Sequence, residues 1–315
     1  MSYKWIAQMG ELDQQGEVIR FRGKTYPPAQ GTEEPIAQVG IFICDQEITD
    51  GVVTASVEFG GVTDQTVCDL IVGHDPDSRR QVDAGIGYFA MYVIREWLPP
   101  EGLGQGRWNN LSMRGDRSNL KPGIRCNLEA RISGSRVTLC ADGIEVASAV
   151  LPAPPTGKQV GLFFVGLDGT EIQVSDFQVR AEQRKAFVVM QFSDPYNQVY
   201  SDVIKLACEE FALKALRADE MYGPGIIIKD VVDQIERSQV VIADITPPNP
   251  NVYFEVGYAL AVKKPIILLA ARETPEARLP FDVSAFRVLF YENSIGGKAK
   301  LEEGLRKHLK EILGR

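Results

Sequence analysis

Residues 240–261 read VVIADITPPNPNVYFEVGYALA, and this stretch decides how the second half of the chain folds. The apolar run VVIA ends on the carboxylate of Asp244, a Pro-rich turn follows, and a helix opening at Asn251 carries Glu255. A short continuous apolar run between helices is typical of a strand in a parallel sheet. Such folds bind ligands at the carboxyl edge of the sheet, so this pattern predicts two carboxylates there.

Strands and helices alternate on both sides of this stretch. We predict strands over 186–190, 215–218, 240–243, 266–269 and 286–291 and helices over 196–213, 226–238, 251–263 and 298–313. Alternation of this kind predicts an α/β domain over residues 183–315, with a flavodoxin-like five-stranded parallel sheet in the order 2-1-3-4-5.

The first part of the chain has a different periodicity. Short strands are predicted over 16–21, 36–44, 52–59, 85–94, 126–133, 136–141, 160–165 and 172–179. Ser133-Gly134-Ser135 and Asp142-Gly143 supply hairpin turns. Regularly spaced strands with few helices predict an antiparallel β-sandwich over residues 1–182, and the polar segment AEQRK at 181–185 is the predicted linker.

Composition excludes several classes of protein. The chain has 315 residues, 44% hydrophobic and 24% charged, which suits two globular domains. From Arg184 onward there are 18 basic and 18 acidic residues, so the formal charge of −8 lies in residues 1–183. An acidic first half argues against nucleic acid as a partner. Neither a membrane span nor a signal peptide is predicted, because no apolar run is long enough.

Histidine and cysteine usage narrows the chemistry further. The five cysteines form no CxxC pair, so we expect reduced thiols in a cytoplasmic protein. The two histidines, His74 and His308, are far from each other and from any cysteine pair, so no metal site is predicted. A Ser-His-Asp or Cys-His catalytic group is equally hard to build from them.

Three loops should meet at the carboxyl edge of the parallel sheet. In the predicted order the loops after the first three strands gather Asp194, Asp219, Asp244 and Glu255 around one cleft, with Tyr200, Tyr222 and Tyr253 as walls. The predicted substrate-binding residues there are Gln191, Phe192, Ser193, Asp219, Asn251, Tyr253 and Tyr222. Asn251 is the predicted N-cap of the helix. The structural alternative is that Glu255 only complements the helix dipole and Asp244 only holds loop amides.

The end of the first domain resembles a known fold family. Ala141-Asp142-Gly143, Gly161-Leu162-Phe163 and Ser175-Asp176-Phe177 are similar to the closing strands of a concanavalin A-like or laminin G-like jelly roll. The resemblance implies a scaffold or interaction domain, with a protein or glycan as its ligand.

The second domain resembles the nucleoside 2-deoxyribosyltransferase-like family, relatives of the TIR domains that cleave NAD. The motifs are ADI at 243–245, NPNVY at 249–253 and FEVGYA at 254–259. The resemblance implies that Glu255 is the nucleophile or charge stabiliser at C1′ of a ribose, that Asp244 contacts the substrate, and that Asn251 belongs to the site. It also implies a homo-oligomer and a bacterial antiviral defence or stress effector.

These patterns suggest N-glycosidic bond cleavage. A carboxylate beneath C1′ can bond to the sugar or stabilise its positive charge, as in glycoside hydrolysis. NAD is the leading substrate, with no cofactor, because nicotinamide leaves without needing a general acid. The alternatives are a nucleoside deoxyribosyltransferase or hydrolase, and a non-catalytic module that binds a nucleotide signal.

Overall fold

A computed structural model describes residues 3–28, 34–100, 106–116, 121–220, 227–272, 286–292 and 294–313. The chain divides into two compact units. The first consists of Met1–Ile132, Arg136–Leu151 and Pro155–Glu182, and the second of Ser133–Ser135, Pro152–Pro154 and Gln183–Arg315.

The first unit is an antiparallel sandwich, as predicted. Its strands are β1 (Trp5–Met9), β2 (Asp13–Gln15), β3 (Val18–Arg22), β4 (Thr25–Tyr26), β5 (Ile36–Glu47), β6 (Gly51–Gly61), β7 (Val67–His74), β8 (Gln81–Ile86), β9 (Tyr92–Leu98), β10 (Arg107–Arg114), β11 (Arg125–Ser133), β12 (Arg136–Ala141), β13 (Ile144–Val150), β14 (Gln159–Gly166) and β15 (Glu171–Ala181).

Two sheets form the sandwich. One has the order β1-β5-β14-β7-β8-β9-β10, with β4 paired to β5, and the other has the order β13-β12-β11-β6-β15-β3-β2. Alternate side chains of both sheets, such as Phe42 and Phe164 from one and Phe59 and Leu128 from the other, share one buried core. This is the arrangement that period-two patterning dictates, since successive side chains point to opposite faces of a strand.

One predicted turn is present in the first unit, and one turn that was not predicted interrupts a predicted strand. The turn Asp142-Gly143 joins β12 to β13 as expected, and both residues have positive φ, +49° and +78°, which a two-residue hairpin of this twist requires. The single strand predicted over 85–94 is wrong. It is broken by a 3₁₀ turn at Tyr88–Ala90, where Phe89 has φ +59°. Strands β1, β2, β4, β7, β10 and β13 were also not predicted.

The second unit contains five parallel strands, β16 (Arg184–Val189), β17 (Leu213–Arg217), β18 (Val240–Asp244), β19 (Ile266–Ala271) and β20 (Val288–Tyr291). Their order is β17-β16-β18-β19-β20, which confirms the predicted 2-1-3-4-5 topology. The described helices are α1 (Tyr196–Val199), which runs through a π-helical segment (Tyr200–Ile204) into α2 (Lys205–Glu210), then α3 (Ile227–Arg237), α4 (Pro250–Ala261) and α5 (Ile295–Leu313).

Helices cover both faces of this sheet. In β18, Val240 and Ile242 pack with the π-helical segment, α2 and α5, whereas Val241 and Ala243 pack with α3 and α4. Burial on both faces explains why the strands are continuous apolar runs. The predicted first helix ends too late. The chain leaves the helix after Glu210, and Ala212 adopts a left-handed φ of +55° before β17.

All five cysteines are free thiols. No helix in the described part of the chain is long and apolar enough to cross a bilayer.

Candidate active site

A cavity of about 640 Å³ opens at the carboxyl edge of the parallel sheet. It lies where β16 and β18 end and α3 and α4 begin, as expected for the position at which the strand order reverses. Its lining residues are Met190, Gln191, Phe192, Ala218, Ile228, Val231, Asn249, Asn251, Val252, Phe254 and Glu255. Aromatic, aliphatic and amide groups dominate this wall, and Glu255 is the only titratable side chain among the described residues that line it.

Glu255 is the sixth residue of α4 and lies at the cavity wall, partly buried. Loss of solvent on burial raises the pKa of its carboxyl group to about 7. Within the described residues its side chain has neither a hydrogen bond nor an ion pair that would hold it in place. A desolvated carboxylate without a partner is poised to interact with a positive centre in a ligand.

The N-cap of α4 is not the predicted residue. Asn249, not Asn251, is the N-cap: its Oδ1 accepts a hydrogen bond from the backbone N–H of Asn251 at 2.9 Å. Pro250 then takes the first helical position, which suits its fixed φ and its missing N–H. Asn251 therefore sits inside the first turn and still lines the cavity.

Asn249 also connects two loops of the site. Its Nδ2 donates to Gln191 Oε1 at 2.9 Å, so the turn before α4 is tied to the segment that follows β16. Both amides line the cavity, and this bond fixes their orientation. Sequence reasoning missed Asn249, although an Asn placed directly before Pro is a recognisable helix-start signal.

Asp244 does not line the cavity. We expected both carboxylates at one cleft, and the structure brings only Glu255 to it. Asp244 is fully buried, accepting a hydrogen bond from the Tyr291 hydroxyl at 2.5 Å and one from the Thr246 N–H at 3.0 Å. Burial raises the pKa of Asp244 to about 7, although both hydrogen bonds act in the opposite direction. Because Tyr291 ends β20, Asp244 ties the ends of two strands together.

Phe192 and Phe254 form the aromatic part of the wall. They are 47% and 48% exposed, unusually high for such side chains, and both border the cavity. The Arg217 guanidinium lies 5.1 Å from the centre of the Phe192 ring, a cation–π distance. Exposed aromatic faces beside a cavity suit a planar ring such as a nucleobase.

Asp219 is occupied by that same arginine. It accepts two hydrogen bonds from Arg217, at 2.7 and 2.6 Å, and is not among the lining residues. The nearby Tyr200 is buried and donates to Glu220 at 2.7 Å instead of forming a wall.

The other predicted residues are spread more widely. Ser193 is exposed, and its carbonyl accepts the Asn197 N–H at the start of α1, whereas Asp194 is exposed beside it. The Tyr253 hydroxyl is buried and has no hydrogen-bond partner within the described residues. Tyr222 lies outside the described residues. Of the predicted set, Gln191, Phe192, Asn251 and Glu255 therefore meet at the cavity.

The described residues contain no group of three or more His, Cys, Asp or Glu side chains that could hold a metal ion.

One known protein family matches the second domain. The family model for nucleoside 2-deoxyribosyltransferase matches residues 190–293, which include the whole described cavity lining. The second domain is thus nucleoside 2-deoxyribosyltransferase-like. No curated protein is similar enough in sequence to count as a relative.

Solved structures resemble the chain over slightly more than half its length. A carbohydrate-binding module from Bacillus subtilis has 10% identity and a TM-score of 0.41, covering 57% of this chain and 96% of its own. A lichenase from a mouse hindgut metagenome has 11% identity and a TM-score of 0.38, covering 56% and 91%. Porphyranase B from Zobellia galactanivorans has 12% identity and a TM-score of 0.37, covering 56% and 86%.

Proposed function

We propose that the second domain breaks the N-glycosidic bond of a nucleoside or nucleotide, with Glu255 as the carboxylate at C1′ of the sugar. The observation that carries this proposal is the position of Glu255: a partly desolvated carboxylate, without a partner among the described residues, in a cavity of about 640 Å³ with two exposed phenyl rings. A cavity of that volume accommodates a nucleoside. The family match over residues 190–293 supports the same reaction class.

The reaction divides into two steps. The Glu255 carboxylate approaches C1′ and forms a bond to it, or an ion pair with it, as the C1′–N bond breaks and its electron pair passes to the ring nitrogen of the base. Water, or the ring nitrogen of an acceptor base, then attacks C1′, the bond or ion pair to the carboxylate breaks, and the attacking group loses a proton to solvent. Asn249, Asn251 and Gln191 offer amide groups that can hold sugar hydroxyls and orient the ring.

NAD is the leading substrate. Its nicotinamide ring is a cation and departs as a neutral molecule, so the leaving group needs no proton. An ordinary purine or pyrimidine leaves more readily when it is protonated. Since Glu255 is the one titratable side chain in the described wall, a substrate that needs no second acid suits this site best.

Two alternatives follow from the same features. Transfer of a deoxyribosyl group between bases, or hydrolysis of a nucleoside, is favoured by the family match. A non-catalytic domain that binds a nucleotide as a signal would use the same aromatic wall without any step at Glu255.

The proposal extends to the biological role of the whole chain. A cytoplasmic defence or stress effector, active as a homo-oligomer, would couple recognition of a protein or glycan by the first domain to loss of a nucleotide through the second. In this scheme Asp244 is a positioning residue, since its carboxyl group connects the ends of β18 and β20 through Tyr291.

A product assay tests the proposal. Full-length protein at high concentration is incubated with NAD and, separately, with deoxynucleosides, and released bases are separated by chromatography. We expect nicotinamide release, reduced about 10³-fold or more in Glu255→Gln, because the amide can neither form the bond nor carry the charge.

The matched control is Glu209→Gln, which makes the same chemical change at an exposed position on α2. It should release base at the wild-type rate. Base release from deoxynucleosides but not from NAD would select the deoxyribosyltransferase or nucleoside hydrolase alternative. A Glu255→Gln variant as active as wild type, or nucleotide binding without turnover, would overturn the catalytic proposal.

A further inference from the structure

The Phe192 ring reaches the second-domain cavity from a loop. It lies just after β16, is 47% exposed, and is followed by two further exposed residues, Ser193 and Asp194. An exposed side chain on a loop loses rotamer freedom when a ligand orders it, and this loss weakens binding. A contact that orders the ring before the ligand arrives removes that cost. The residue that makes such a contact therefore influences ligand affinity without touching the ligand.

Arg217, the last residue of β17, makes that contact. The register of the parallel sheet pairs Arg217 with Val188 of β16, so the end of β17 lies beside the loop that carries Phe192. The Arg217 side chain is buried, and its guanidinium carbon lies 5.1 Å from the centre of the Phe192 ring. A guanidinium is planar and packs well on an aromatic face. Arg217 thus supports a ring that also borders the cavity.

The Arg217 guanidinium is itself held on several sides. Its Nε and Nη2 atoms donate to the two carboxylate oxygens of Asp219, at 2.7 and 2.6 Å, and its Nη1 atom donates to Asn197 Oδ1 at 2.9 Å. The centre of the Tyr200 ring lies 4.5 Å from the guanidinium carbon. A carboxylate that accepts two parallel hydrogen bonds fixes the plane of a guanidinium as well as its position. Phe192 therefore packs on a fixed surface.

Three separate elements supply the contacts to Arg217. Asp219 follows β17, Asn197 lies in α1, and Tyr200 begins the π-helical segment between α1 and α2. The Tyr200 hydroxyl donates to Glu220 at 2.7 Å, which fixes the ring that packs on Arg217. π-Helical turns are rare and occur frequently at functional sites. In this domain the π-helical turn carries one of the side chains that hold the arginine.

We propose that Arg217 is a positioning residue of this site: it holds the Phe192 ring in the orientation on which a base stacks, and Asp219 acts on the ligand only through Arg217. The inference rests on the proposed function, because it takes the ligand of the cavity to be a nucleoside or nucleotide. Neither Arg217 nor Asp219 is among the described residues that line the cavity. Their removal therefore weakens binding of the base and leaves the chemical step at Glu255 in place.

A double-mutant cycle tests the inference. Binding of NAD and of deoxyadenosine to full-length Glu255→Gln protein is measured by calorimetry, because this background leaves both probes uncleaved. Phe192→Ala should weaken binding about 10-fold, the effect of removing a stacked ring. Arg217→Met should weaken it about fivefold. The double variant should bind within about twofold of Phe192→Ala alone, because a residue that acts through the ring has no effect once the ring is gone.

Kinetics provides a second readout that a general loss of structure does not reproduce. In the active enzyme, Arg217→Met should raise KM about fivefold and leave kcat within about twofold, because the ring contacts the base in the ground and transition states alike.

Two further variants complete the design. Arg306→Met is the matched control, since Arg306 lies on α5 outside the described cavity lining and also donates two hydrogen bonds to one carboxylate, that of Glu210, at 2.7 Å each. It should change neither the Kd nor KM. Asp219→Asn replaces Arg217→Met in the cycle if the latter fails to fold by circular dichroism. It should weaken binding about threefold, and only when Phe192 is present.

The outcomes separate this inference from the proposed reaction. Additive effects, with the double variant about 50-fold weaker than the background, would overturn the inference and leave the reaction untouched. Undiminished binding by folded Arg217→Met would do the same. A coupled cycle in a protein that releases no base would support the role of Arg217 and overturn only the reaction. Failure of both probes to bind would overturn the two together.

Discussion

The second-domain cavity and a cavity on the first domain have nearly equal volumes, about 640 and 650 Å³, yet they differ in the state of their polar groups. In the second domain Glu255 lies at the wall with no hydrogen bond or ion pair to any residue that the structure describes, and burial raises its pKa to about 7. In the first domain the described wall carries the charge of exposed Arg79, burial lowers the pKa of His74, and His74 and Gln81 are bonded to each other. A reaction needs a charge that is stabilised only when the substrate's charge develops. Recognition needs only satisfied contacts, so the difference separates a candidate reaction site from a candidate binding site.

The largest effect that would sharpen this comparison is the pH dependence of base release. If Glu255 acts as a carboxylate, kcat/KM should rise about 10-fold per pH unit below its pKa of about 7 and level off above pH 8, because only the deprotonated form reacts. Measuring initial rates between pH 5 and 9 checks this.

A rate that instead falls as pH rises through 7 would mean that Glu255 works as an acid.

Tyr291→Phe tests the separate role of Asp244. Removing the hydroxyl leaves Asp244 Oδ2 buried without its donor, so we expect a loss of about 1–3 kcal/mol in the free energy of unfolding. Urea unfolding followed by circular dichroism measures it. Base release by the folded variant should stay within about 10-fold of wild type.

The Asp244→Asn variant tests whether Asp244 contacts the substrate. If it abolishes base release as fully as Glu255→Gln while remaining folded, Asp244 contacts the substrate, as the sequence resemblance implied, and the cavity in the structure lacks part of the site.

The smallest expected effect concerns stability. The folded pKa of Glu255 lies above its unfolded value, so its contribution is fully present below about pH 4.5 and is lost as pH rises through 7. Glu255→Gln removes this penalty and should stabilise the protein at pH 8 by about 1–2 kcal/mol, allowing for solvent screening, with no gain at pH 4.5.

Thermal unfolding at the two pH values measures the difference, and Glu209→Gln should produce none. A Glu255→Gln variant that is less stable at pH 8 would show that the carboxylate is held by a favourable contact, which would remove the contrast with the first domain.

The order of the parallel sheet could be read from the chain because alternating apolar runs and helices leave few topologies open. Glu255 was found for the same reason: its helix follows the strand that ends at Asp244, at the edge where ligands bind. Asn249 was missed because Asn251, two residues later, offered an equally good capping side chain. The broken strand at Tyr88–Ala90 was missed because the 3₁₀ turn contains no Gly or Pro inside it.

Local periodicity alone determined the two classes of domain, the five-stranded order and the helix that carries Glu255, since these follow from hydrophobic patterns along contiguous residues. Only the tertiary structure decided which carboxylate reaches the cavity. The sequence pattern places Asp244 and Glu255 at the same sheet edge, but Asp244 is buried and accepts a hydrogen bond from Tyr291, 47 residues further along the chain. In the first domain, strand register likewise brings together a row of five paired residues that are scattered along the chain: Gln159, His74, Gln81, Trp97 and Trp108.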